Sequence, residues 1–286
     1  MILKYKNYQL DNFTVFERVT FAPPFKPSVT YEQEACFIYS LSGNGISYGG
    51  LDSDRIVTGE SILMKCGSFV NHWQNTDNGD PCEIIAIHVT PEILHKIYAH
   101  KLPDFLKSEG KISSRIFQRV PQQFVIDEFI KGLLFYFDNP ELINEELMTL
   151  KIQELILLLF NIDYDNIREL LKSLFAPVDL TFKSIIEAHL YQELEITDYA
   201  ALTNTSLSTF KRRFKKTFNQ TPALFLASKR LEKAAELLKT SDLRITEICF
   251  QCGFKDLSTF SRSFNKRYGS PPSAFRNSNR TSESNF

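Results

Sequence analysis

Hydrophobic positions along the chain follow two different rhythms. Over residues 1–90, short stretches rich in β-branched and aromatic residues occur at 13–21, 35–41, 45–48, 61–64 and 83–89. They are separated by turn-forming segments at 23–27 (PPFKP), 42–45 (SGNG), 49–54 (GGLDSD) and 75–81 (NTDNGDP). Many short strands at such spacing predict a sandwich or small barrel. From Pro91 the rhythm lengthens to that of a helix, opened by Ile93, Leu94 and Ile97 and continued over 124–137 and 145–162. In the last segment Met148, Ile152, Leu155, Leu159 and Ile162 share one face, and Leu147, Leu150, Ile156 and Leu158 widen it. An apolar surface that wide exceeds what one neighbour covers. It predicts a helix buried on two sides, and a homodimer formed through Met148, Ile152, Leu155 and Leu159.

Residues 173–179 (SLFAPVD) contain Pro177 and read as a linker, with Asp179 placed to cap a new helix carrying Ile185, Ile186 and Leu190. Beyond it the chain repeats itself. Residues 207–225 (LSTFKRRFKKTFNQTPALF) align with 257–275 (LSTFSRSFNKRYGSPPSAF), and nine of the nineteen positions are identical. Upstream, Ile196-Thr197-Asp198 matches Ile245-Thr246-Glu247 with one residue fewer between. Two copies are too few for a solenoid and suit a duplicated supersecondary element. Each copy reads as helix, tight turn, helix. Tyr199, Ala200 and Leu202 lie on the first short helix, which ends near Thr203-Asn204, and Ser206 caps the next. In the second copy Ile248 and Cys249 lie on the short helix, Gly253 serves the turn and Asp256 is the cap.

Charge separates the two halves. Residues 1–179 hold 16 Lys+Arg against 24 Asp+Glu, whereas 180–286 hold 17 against 10, an asymmetry hidden by the overall net charge of −1. A basic region on an acidic one points to a polyanion met by the carboxyl-terminal part alone. The second helix of each repeat has the chemistry for it. Leu207, Phe210, Phe214 and Phe218 form one face, as do Leu257, Phe260, Phe264 and Tyr268. The opposite faces carry Ser208, Lys211, Arg212 and Lys215, and Ser258, Ser261, Arg262 and Asn265. Arg can donate two bonds to guanine, Asn can pair with adenine, and Ser and Lys can reach bases or phosphates. The KRRFKK run at 211–216 adds five cations to that electrostatic footprint.

The segment Gly253-Phe254-x-Asp256-x-Ser258-x-Phe260-x-Arg262-x-Phe264, followed by Gly269, Pro272, Phe275 and Arg276, resembles the signature of the AraC/XylS family of bacterial transcription regulators. The resemblance covers about 180–277. Asn265 stands where Lys is usual, and Asn219 where the first repeat usually has Gly. It implies seven helices forming two helix-turn-helix units bridged by a long helix at 223–240, with the two recognition helices in successive major grooves of double-stranded DNA. By motif position Lys211, Arg212, Ser258 and Arg262 inherit the base-reading role, and Lys215 and Lys266 the phosphate contacts. Many members also carry an amino-terminal cupin-like barrel that senses a small molecule, followed by helices that dimerise. Strands and then helices over 1–172 resemble that order.

The expected architecture is therefore α+β. It has a cupin-like sensing and dimerisation domain at 1–172, a linker at 173–179, an all-α DNA-binding domain with two helix-turn-helix units at 180–277, and a disordered tail at 278–286. The expected function is a sequence-specific transcription regulator answering to a small-molecule or protein effector and acting on the transcription machinery. Activation is the commoner mode in the family, though no residue separates activator from repressor. The competing reading is a cupin-type enzyme or ligand-binding module with an accessory DNA-binding domain. His72, His88, His95 and His100 lack the close pairing of a metal-binding cupin, and Phe69 to Trp73 could line a pocket but more simply fill the barrel. The glycines at 43–49 lack dinucleotide-loop spacing, and Cys249 and Cys252 have no second pair to complete a zinc site. No catalytic triad, metal or cofactor is expected. The longest apolar run, 155–160, is far short of the ~20 residues of a membrane span, and the amino end MILKYKNYQL offers no secretory signal. Five cysteines without regular spacing do not make a disulfide framework, and the cytoplasm is the expected setting.

Overall fold

A computed structural model of the chain describes residues 1–31, 34–74, 79–98, 103, 115–120, 122–162, 165–174 and 180–281. The chain forms two compact units, Met1–Leu180 and Thr181–Phe286.

The first unit opens with β1 (Ile2–Leu10) and β2 (Phe13–Phe21), joined at Asp11 and Asn12, both with positive φ. Two such residues give the mirror-image turn whose twist suits a hairpin. Then come β3 (Ser28–Tyr31), β4 (Ala35–Ser42), β5 (Gly45–Gly49), β6 (Asp52–Ile56), β7 (Ser61–Met64), β8 (Gly67–Trp73), β9 (Cys82–Val89), α1 (Pro91–Ile97), β10 (Phe117–Val120), α2 (Phe124–Asp138), α3 (Glu145–Asn161) and α4 (Asp165–Lys172). The strands make a six-stranded sheet, ordered β1-β2-β9-β4-β7-β10, and a four-stranded sheet, β3-β8-β5-β6. The ladders are antiparallel. The expected barrel thus consists of two open sheets, and among the described residues no ladder joins them.

Period-two alternation sends the large sheet's side chains to two cores. Val19, Phe21, Ile38, Met64 and Ala86 meet Ile56, Phe69 and Trp73 of the small sheet. Phe16, Phe37, Tyr39, Ile85 and Ile87 face the helices. Phe69 and Trp73 fill the space between the sheets, with Trp73 set edge-on to Phe21. Strand β6 corrects the turn expected over 49–54. Its side chains are mostly polar and sit at a sheet edge, so no apolar alternation announces it.

Helix α3 corrects the expected dimer surface. Met148, Ile152, Leu155 and Leu159 are at most 6% exposed within this single chain and join the core under the large sheet. That face is covered internally, and α1, α2 and α4 all pack against α3. Its most exposed leucines are Leu150, 57% exposed, and Leu157, 47%. Ser173 and Leu174 are buried in the first unit, and Cys66 N–H donates to the Leu174 carbonyl at 3.3 Å.

The second unit contains α5 (Phe182–Ala188), α6 (Ile196–Leu202), α7 (Leu207–Phe218), α8 (Pro222–Thr240), α9 (Ile245–Gln251), α10 (Leu257–Tyr268) and α11 (Pro272–Thr281). Asp179 lies outside the described residues, and α5 is capped by Thr181, whose Oγ1 accepts from Ser184 N–H at 3.0 Å. Leu190 is buried, although it lies beyond the end of that helix. Helix α11 carries the chain to Thr281, into the segment expected as a tail.

Candidate nucleic-acid interface

The repeat in sequence is a repeat in geometry. An acidic side chain opens each short helix: Asp198 accepts from the Glu195 N–H at 2.8 Å, and Glu247 from the Arg244 N–H at 2.6 Å. The turns use Asn204 at φ 48° and Gly253 at φ 78°. Helix α7 is capped by Ser206, which accepts from Thr209 N–H at 3.3 Å, and α10 by Asp256, which accepts from Thr259 N–H at 2.7 Å. Both end in the left-handed region, at Asn219 and Gly269, where Asn is the side chain best able to replace Gly.

Equivalent rings anchor the two helices. Phe210, Phe214, Phe218 and Phe225 form a chain with successive centroids 5.5, 4.5 and 4.5 Å apart. Phe260, Phe264, Tyr268 and Phe275 repeat it at 5.7, 4.6 and 5.3 Å. Phe210, Phe214, Phe260 and Phe264 are fully buried. With that face pinned inward, a period of 3.6 residues turns the opposite face to solvent.

Ser208, Lys211, Arg212 and Lys215 are accordingly exposed on α7, and Ser258, Arg262, Asn265 and Lys266 on α10, while Ser261 is half-buried. The KRRFKK run does not act as one patch, because the Arg213 guanidinium stacks over the Phe182 ring at 4.5 Å. Between α7 and α10 lies an open cleft of about 660 Å³, lined by Leu207 and Lys211 on one side and Lys255, Thr259 and Ser263 on the other, with Arg230 of α8 in its wall. Lys255 pairs with Glu195 across it at 2.7 Å. Sequence reading singles out neither Arg230 nor Lys255, since their partners lie far away in the chain.

The remaining candidates carry other chemistry. Cys249 and Cys252 are buried free thiols in the core of the second repeat, and burial pushes both pKa values up, that of Cys252 to about 11. Both belong to the apolar core that includes Leu231, Ile248 and Phe260. His72 is buried beside Tyr48, His95 sits on α1, and His100 lies outside the described residues. His88 lies between Glu17 and Glu34. Burial opposes its charge, but Cys36, Glu17 and Glu34 outweigh that and raise its proton affinity. Among the described residues no group of three His, Cys, Asp or Glu side chains is arranged to hold a metal ion. No described helix is long and apolar enough to cross a membrane.

A basic unit with two identically framed helix-turn-helix elements, each turning a polar and cationic helix face to solvent, defines a DNA-binding protein. A helix-turn-helix domain model matches residues 199–278, and the model of the ExsA N-terminal regulatory domain matches 35–170. The transcriptional activator RhaS of Klebsiella pneumoniae is 41% identical over 71 residues, which span 25% of this chain and 26% of that protein. The transcriptional regulator ExsA of Pseudomonas aeruginosa is 24% identical over 248 residues, 81% of each chain. Among solved structures, ToxT of Vibrio cholerae is similar with a TM-score of 0.38 at 16% identity, covering 92% of this chain and 98% of that one. The chain belongs to the AraC/XylS family and is a DNA-binding transcription regulator.

Proposed function

We propose that α7 and α10 read two successive major grooves on one face of a DNA duplex. Lys211, Arg212, Ser258 and Arg262 take the base edges. Ser208, Ser261 and Asn265 flank them, and Lys215 and Lys266 hold phosphates. The observation that carries this reading is that the same frame of aromatic rings and caps, used twice, leaves these side chains exposed, apart from the half-buried Ser261. Arg212→Ala and Arg262→Ala should each cost about 1–3 kcal/mol of binding and relax preference at one base. The measurement is titration of the protein on a duplex it selects from a randomised pool and on single-base variants of that duplex. Unchanged affinity and preference in either variant would reject the assignment.

The first unit then acts as the regulatory part, answering to a small molecule or a protein and controlling how the second unit engages a promoter and its transcription machinery. Similarity over 35–170 to a regulatory domain supports this. Activation is the favoured mode, in keeping with the name of RhaS. The protein works in the cytoplasm, as a binding protein rather than an enzyme. It forms a homodimer in which α3 contributes its exposed Leu150 and Leu157. Sedimentation of Leu150→Lys/Leu157→Lys should then give folded monomers, whereas lysines at Leu155 and Leu159 would disrupt the core instead.

A further inference from the structure

The two recognition helices are separate in sequence, yet one side chain ties their supports together. Arg230, on α8, spreads its guanidinium over three backbone carbonyls. Nε donates to Leu190 O at 3.0 Å, Nη2 to Gln192 O at 2.6 Å, and Nη1 to Gly253 O at 2.8 Å. The first two acceptors lie in the segment leading into α6, which packs against α7. The third is in the turn leading into α10. A planar fork of fixed donors suits this task, because a lysine ammonium would not hold three carbonyls in one plane.

The seam is also closed sterically. A Cβ on Gly253 would stand 2.8 Å from Tyr191 O and 3.0 Å from Gln192 O, so the turn of the second repeat sits directly against the segment leading into the first repeat. Asn204, at the same point of the first repeat, carries a side chain. The Lys255–Glu195 pair crosses the same seam, but both groups are half exposed, which makes it the weaker fastening.

We infer that Arg230, with Gly253, is a positioning residue that fixes the offset between α7 and α10 and thereby the spacing of the two DNA boxes the protein accepts. This rests on the two-groove reading proposed above. Two linked readers gain from each other only when the link lets both engage at once. One inserted base pair moves the second box by about 3.4 Å and turns it by about 35°. A rigid seam cannot follow that displacement, and a loosened one can.

The test uses the full chain on a duplex selected by the wild-type protein, on versions with one base pair inserted or deleted between the boxes, and on a duplex keeping only one box. The wild type should lose about tenfold or more in affinity when the spacing changes. Arg230→Met should bind the native spacing less tightly, shrink the spacing penalty to about threefold or less, and hold one-box binding at the wild-type level. Arg230→Lys, which keeps the charge but not the fork, should fall between them. Retention of the full spacing penalty by Arg230→Met overturns the proposal. So does a parallel loss of one-box binding, which would make Arg230 a merely structural residue. A wild type indifferent to spacing would instead overturn the two-groove reading itself.

Discussion

The two helix-turn-helix units stand on one frame and present different surfaces. Helix α7 carries five cations within KRRFKK, whereas α10 carries Arg262, Lys266 and Arg267 among Ser258, Ser261 and Asn265. The buried rings, caps and left-handed ends match position by position. Duplication has therefore kept what folds the unit and let the outward face drift. On the reading proposed above, the α7 repeat would attract phosphate, with a strong salt dependence, and the α10 repeat would discriminate hydrogen-bonding patterns.

The turns differ for a packing reason. Asn204 can bear a side chain in the left-handed region, but Gly253 abuts the backbone of Tyr191 and Gln192 and must be glycine. One position is constrained by conformation alone and the other by conformation and a close approach.

The largest test of the shared frame is removal of its central rings. Phe214→Ala and Phe264→Ala should each cost about 3–5 kcal/mol in thermal or denaturant unfolding of the second unit. A small effect in one repeat only would mean the frames are not equivalent. Next, Gly253→Ala should destabilise by about 2 kcal/mol or more, because it adds a collision to left-handed strain. Asn204→Ala should cost about 1 kcal/mol, and equal losses would remove the packing argument. Lys215→Ala should weaken binding to all sequences alike and reduce the slope of log affinity against log salt by roughly 1.

The smallest effect concerns the caps. The Asp256 carboxyl is held below its ordinary range, first by the Thr259 N–H. A lowered folded value means that its contribution is present above the unfolded aspartate pKa, and is lost as pH falls through the folded one. The hydroxyl cap Ser206 has no such dependence. NMR titration should place Asp256 below the value of an aspartate in an unfolded chain, and Asp256→Ser should remove this part of the acid sensitivity.

Much of the second unit was legible because its determinants are local. Period 3.6, Ser206 and Asp256 as caps, and Gly253 at the turn mark helix ends within a few residues, and the repeat confirms each reading by a second copy. The first unit was harder to read. Strand β1 is mostly exposed, β6 is polar, and in β8 the buried Asn71 and His72 interrupt the apolar run. Each owes its place to hydrogen bonds with a neighbouring strand, which leave no period in the sequence.

The sequence by itself determined the two DNA-reading units and the solvent face of their helices, since an amphipathic helix declares its buried side wherever it packs. Only the tertiary structure decided what covers an apolar surface and what joins distant segments. It assigned the face of α3 that carries Met148, Ile152, Leu155 and Leu159 to neighbours in the same chain, and it brought Arg230 to carbonyls at 190, 192 and 253. Burial has no address in sequence, and a backbone carbonyl is the same acceptor at every residue, so neither partner could be named before the chain was folded.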